Sequence, residues 1–147
     1  MIERGLLLAV IAVSVSVVIV VARAWSAYRL TRLRGQGHER LWSALGEAPD
    51  GRPSLVVFST PRCTTCRTAQ HPAVETVAAR FGSALRVVSV NLAQRPAVGH
   101  AFNVLTAPTT VVLAGDGRVE RFNHGFTSAD QLSAQLSALG VSPASPR

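Results

Sequence analysis

Two thiols three positions apart, Cys63 and Cys66, stand directly after the apolar run Leu55-Val56-Val57-Phe58. They are the only cysteines among 147 residues. A disulfide framework for a small secreted fold needs several pairs, and a four-ligand zinc site needs more cysteines or well-spaced histidines. The pair therefore reads as reaction chemistry rather than as a staple. If Thr64 opens a helix, Cys63 lies at its N-terminus, where unpaired backbone N–H groups and the helix dipole favour a thiolate. Cys66 then sits one turn further in, close enough to close a disulfide. On this reading Cys63 is the exposed nucleophile and Cys66 the resolving thiol. Arg62 and Arg67 add positive charge beside the sulfurs, which favours the thiolate further. A competing use of the same atoms is metal binding, with Cys63, Cys66 and His71 offering two thiolates and an imidazole to a soft ion such as Cu(I). His71 follows Cys66 by five residues, off its face of an α-helix, so no metal site is expected.

These thiols need elements to hold them, and the surrounding sequence supplies a consistent set. Leu55 to Phe58 is a buried strand, and Thr64 to Phe81 has helical character, with Val74, Val77, Ala78 and Phe81 on one face. Leu85 to Leu92 alternates as a strand, and Pro96 to Phe102 is a short helix. Pro108 stands immediately ahead of the β-rich run Thr109-Thr110-Val111-Val112-Leu113, and Gly115-Asp116-Gly117 turns the chain into Arg118 to Phe122, a hairpin pattern. Thr127-Ser128-Ala129-Asp130 caps a last helix carrying Leu132, Leu136 and Leu139. Upstream, His38 to Gly46 places Leu41, Trp42 and Leu45 at helical spacing.

In this order of elements the chain resembles the thioredoxin family over roughly residues 39 to 139. The matching residues are Phe58, Cys63, Cys66, Asn91, Phe102, Pro108, Thr109, Gly117 and Gly125. The resemblance implies an α/β thioredoxin-like fold, a central mixed sheet flanked by helices. The strand that opens a full thioredoxin has no counterpart here, so about four strands are expected. It also implies that Pro108 is cis and packs beside the disulfide, and that Ala107 offers backbone hydrogen bonds to a substrate chain. The implied activity is thiol–disulfide exchange with client proteins in cell redox homeostasis, with no dissociable cofactor and with a separate redox partner to supply or accept electrons. A client-binding module that keeps the fold without redox turnover is the alternative.

Four departures bear on the chemistry. Where the family has a buried Asp this chain has Val57, and where the accompanying Lys stands it has Ser89. Cys66 therefore lacks that built-in base, leaving water, a partner protein or a nearby side chain such as His71 to take its proton. Arg62 replaces the family's Trp, and Thr64-Thr65 replaces Gly-Pro between the cysteines. Arg62, Thr64 and Thr65 are thus expected to tune the couple, the two hydroxyls by donating to the Cys63 sulfur. Pro72, one position later than the family's proline, is expected to kink the long helix.

The other informative stretch is Gly5 to Ala22, an uncharged apolar run with Ser14 and Ser16 as its polar interruptions. At helical rise it spans about 27 Å, enough to cross the hydrocarbon core of a bilayer. One N-terminal transmembrane helix is expected within residues 1–24, then a basic linker over 25–38, the globular domain over 39–140 and a flexible tail over 141–147. Arg4 alone precedes the run, whereas Arg23, Arg29, Arg32, Arg34 and Arg40 follow it. The positive-inside rule therefore puts the domain on the cytoplasmic face of the cell membrane, the extracytoplasmic face being the alternative. Trp25 and Tyr28 among these arginines suit a headgroup layer, so membrane lipid is an expected partner. The formal charge is +7, carried entirely by arginine on the basic side. No basic stripe with interleaved stacking aromatics occurs in the domain, and nucleic acid is not expected as a partner.

Overall fold

The structure is a computed structural model, and it describes residues 38–144 together with 16, 17 and 19–21. The chain divides between Gln36 and Gly37 into two units. The expected anchor, apart from five helical residues, and the expected linker, apart from His38, lie outside the described residues. Among the described residues no helix is long and apolar enough to cross a membrane.

The domain opens with α1 (His38–Leu45), whose Leu41, Trp42 and Leu45 are buried. Next come β1 (Ser54–Ser59) and a helix that begins at Thr64, passes through a π-helical turn (Cys66–Gln70) and continues as α2 (His71–Phe81). A 3-10 turn leads to β2 (Arg86–Asn91), and α3 (Pro96–Ala101), β3 (Thr109–Leu113), β4 (Val119–His124) and α4 (Ala129–Ser137) complete the fold. The sheet has four strands in the order β2-β1-β3-β4. β1 runs parallel to β2 and antiparallel to β3, and β3 pairs antiparallel with β4.

β1 is the central element because both of its faces are covered, which is why it reads as a continuous apolar run rather than an alternating one. Val56 and Phe58 pack with α1, α3 and Phe102 on one side. Leu55 and Val57 pack with Val74, Val77 and Phe81 of α2 and with Leu132 and Leu136 of α4 on the other. The segment from β1 through the helix to β2 is a crossover between parallel strands, and it carries the dithiol across the C-terminal end of β1.

α4 starts at a capping box, in which the Ser128 hydroxyl accepts from Gln131 N–H and the Gln131 side chain accepts from Ser128 N–H. The chain beyond α4 departs from the expected tail. Val141 packs against the α2/α4 cluster, and Ala144 N–H donates to Arg80 O at 2.8 Å. Residues 141–144 are thus fastened to α2; residues 145–147 lie outside the described residues.

Candidate functional site

β1 ends at Ser59, whose carbonyl accepts from Leu92 N–H, and the chain turns over Pro61 and Arg62 so that Cys63 N–H donates to Thr60 O at 3.1 Å. The helix opens at the next residue. Cys63 therefore stands where a capping side chain belongs, and its sulfur takes that role, accepting from Cys66 N–H at 3.1 Å. Cys63 and Cys66 are joined as a disulfide, with Cα atoms 5.2 Å apart. Cys63 is half-buried and Cys66 is 1% exposed. Arg62, Thr64, Thr65 and Arg67 are all exposed around the pair. The backbone, rather than a threonine hydroxyl, provides the hydrogen bond that reaches the Cys63 sulfur.

The helix holds one extra residue in its second turn. His71 N–H donates to Cys66 O, five residues back, where an α-helix would bond four residues back. Pro72, expected to kink an α-helix, follows this π turn at the second residue of α2, and its missing N–H leaves one gap in the ladder of the continuous helix. The same turn buries Gln70, a residue whose role was missed in the sequence. Its amide donates to Thr127 O at 3.1 Å and its oxygen accepts from Thr127 N–H at 3.0 Å, both within the protein interior. The available signal was Gln70 itself, an uncharged polar residue one helical turn beyond Cys66 on the inward side.

The Ala107–Pro108 peptide bond is cis, as the resemblance implies. β3 begins at Thr109, paired with Phe58 at the end of β1 that leads to the dithiol, so Pro108 lies at the same end of the sheet as Cys63. Thr109 Oγ1 donates to Thr106 O at 2.8 Å, and Gly125 N–H donates to Pro108 O at 2.9 Å. These bonds tie both loops around Pro108. Pro108 is buried and Ala107 half-buried.

This architecture is found in known proteins. The family model for thioredoxin matches residues 45–138. The chain belongs to the thioredoxin family. Over 68 residues it is 31% identical to Thioredoxin 1 of Nostoc sp., an alignment covering 46% of this chain and 63% of that relative, so the chain spans less than two thirds of the curated relative's length. A mutant thioredoxin from Halobacterium salinarum NRC-1 superposes with a TM-score of 0.57 at 24% identity, covering 76% of this chain and 90% of that one. Trxlp from Edwardsiella tarda EIB202 gives a TM-score of 0.54 at 27% identity, covering 64% of this chain and 87% of that one.

Against that family the departures take physical form. Val57 and Ser89 are register partners across β1 and β2, so the positions of the family's acid and lysine face one another here without a charge. Among the described residues no three His, Cys, Asp or Glu side chains gather closely enough to hold a metal ion, and the trio Cys63, Cys66 and His71 is not assembled as a ligand set. The carboxylates held below their usual range lie at the opposite end of the sheet. The Arg52 guanidinium hydrogen-bonds Asp50, and Arg118 does the same to Asp116 in the β3–β4 turn. Neither pair acts on the sulfurs.

Proposed function

We propose that this thioredoxin-family chain is a membrane-anchored thiol–disulfide oxidoreductase that exchanges its Cys63–Cys66 pair with client proteins in cell redox homeostasis. The unequal burial of the two sulfurs carries this reading, because only a half-buried Cys63 lets a client sulfur approach while Cys66 stays covered. In the reducing direction the Cys63 thiolate attacks one sulfur of a client disulfide, forming a mixed disulfide and releasing the other client sulfur as a thiolate. Cys66, once deprotonated, attacks Cys63, closing the 63–66 disulfide and releasing the second client thiolate. Two electrons pass from the dithiol to the client. A redox partner returns the pair to its starting state, and the reverse sequence oxidises client thiols. No dissociable cofactor enters.

Ala107 and Pro108 form the client shelf, the Ala107 backbone pairing with the client chain. Leu105 is 76% exposed and Phe126 50% exposed. The first lies three residues before Pro108 and the second follows Gly125, which is bonded to Pro108 O. Apolar side chains of a client beside its cysteine would cover both. Arg62, Thr64 and Thr65 tune the couple from the rim.

The anchor is the apolar run Gly5 to Ala22, of which Val17, Ile19, Val20 and Val21 are exposed apolar side chains. With arginines crowded after this run, the domain faces the cytoplasm in this proposal, and membrane lipid is its first partner. Mixed-disulfide capture tests the exchange. In the full chain, Cys66→Ser should accumulate client adducts through Cys63, while Cys63→Ser should not; equal capture by the two variants would sink the assignment of roles.

A further inference from the structure

The loop between β4 and α4 is fastened on both sides of Phe126. Gly125 N–H donates to Pro108 O at 2.9 Å. Thr127 N–H donates to Gln70 Oε1 at 3.0 Å, and Thr127 O accepts from Gln70 Nε2 at 3.1 Å. Ser128 N–H donates to Gln131 Oε1 at 3.2 Å, where α4 opens. Phe126, between these fastenings, is an exposed aromatic side chain. Backbone fixed in advance lowers the cost of ordering a contact residue when another chain covers it.

Gln70 is 1% exposed and belongs to the π turn that begins at Cys66. Its amide satisfies both main-chain groups of the buried Thr127, one as acceptor and one as donor. An apolar side chain of similar volume would fill the space but form neither bond, and so would not fix the direction of the Thr127 peptide groups. Through Gln70 the helix that carries the dithiol holds the loop that carries Phe126. Through Gly125 the same loop holds Pro108, and the next residue, Thr109, pairs with Phe58 at the dithiol end of β1.

We propose that Gln70 is a positioning residue for protein clients. By holding the Thr127 main chain it keeps Phe126 presented beside the client shelf, and so selects disulfides whose cysteine is flanked by an apolar residue. This inference rests on the exchange reaction above. A client cysteine joined to Cys63 brings its neighbouring residues past the loop. An apolar neighbour that covers Phe126 leaves water, and a glycine offers nothing to cover it. Gln70 acts through Phe126 and takes no part in the sulfur chemistry.

The test uses the reduced full chain and two symmetric peptide disulfides, one with leucine and one with glycine on both sides of its cysteine. Their ratio of exchange rates is the readout. The wild-type chain should favour the leucine peptide about tenfold, the low end of discrimination by one apolar contact. F126A and Q70A should each bring the ratio close to one, and the double variant should lose nothing more, because either change removes the same contact. Reaction with the glycine peptide reports an intact site in every variant. Q70E keeps the test decisive should Q70A fail to fold. Its protonated carboxyl can donate to Thr127 O and accept from Thr127 N–H, whereas the ionised form cannot donate. Burial favours the protonated form, so Q70E should keep the preference near about pH 5 and lose it near about pH 8, each measured against wild type at the same pH. A wild-type ratio retained in Q70A, a Q70E ratio equal at the two pH values, or a wild-type ratio of one would overturn the role of Gln70. No reaction of the wild-type chain with either peptide would instead overturn the exchange reading itself.

Discussion

The backbone N–H of Cys66 donates to the sulfur of Cys63 at 3.1 Å. One cysteine of the pair thus supplies a hydrogen bond to the other, and in the reduced state the same donor faces the Cys63 thiolate at the mouth of a helix.

A stabilised thiolate favours the reduced form and makes a couple more oxidising. With Arg62 beside the motif and no buried acid at Val57, the reduction potential is expected above the thioredoxin value of about −270 mV. Replacing Arg62 by Ala removes that positive charge and should lower it. Equilibration of the full chain in glutathione buffers, scored by thiol alkylation, gives the number, and a value at or below that of thioredoxin would remove this account.

Gln70 joins the site helix to Thr127, which directly follows the exposed Phe126. Gln70→Ala leaves a buried N–H and a buried C=O of Thr127 without their partner and should cost about 2–3 kcal/mol of stability. Gln70→Leu keeps most of the volume but restores neither bond, so it should lose nearly as much. Urea unfolding of the two variants decides; a Gln70→Leu chain as stable as wild type would mean that the clamp contributes nothing.

Gly117 occupies the β3–β4 turn at φ +90°, and its carbonyl accepts from Trp42 Nε1 at 3.1 Å. A Cβ there would meet Trp42 Nε1 at 2.5 Å and Pro49 Cγ at 2.9 Å. Gly117→Ala therefore combines a left-handed backbone penalty with displacement of a buried indole, and about 2–3 kcal/mol is expected to be lost. Near-UV circular dichroism of Trp42 with a denaturant midpoint checks both parts, since unchanged values would show that α1 does not depend on this turn.

Much of the domain is legible in the sequence because its signals are local. β1 announces itself by four consecutive apolar residues, α1 by Leu41, Trp42 and Leu45, α4 by Ser128 ahead of its leucines, and the dithiol by its spacing and its place after a strand. Those features, together with the family resemblance they carry, point to a four-stranded thioredoxin-like domain and to Cys63 as the more exposed cysteine. Pro108 could be singled out, but its cis bond followed from the family resemblance alone.

The sequence did not reveal the π turn, the Gln70 clamp or the docking of residues 141–144 on α2. Whether His71 N–H bonds four or five residues back is settled by competition between nearly equivalent hydrogen bonds, and packing of the helix on β1 decides it. That choice leaves Gln70 buried against Thr127 and His71 on the exposed side of the helix. Side-chain identities and local periodicity determined the elements and the reacting sulfurs; which groups surround those sulfurs depends on contacts between residues far apart in the chain, and only the folded arrangement of β1, β2 and α2 fixes them.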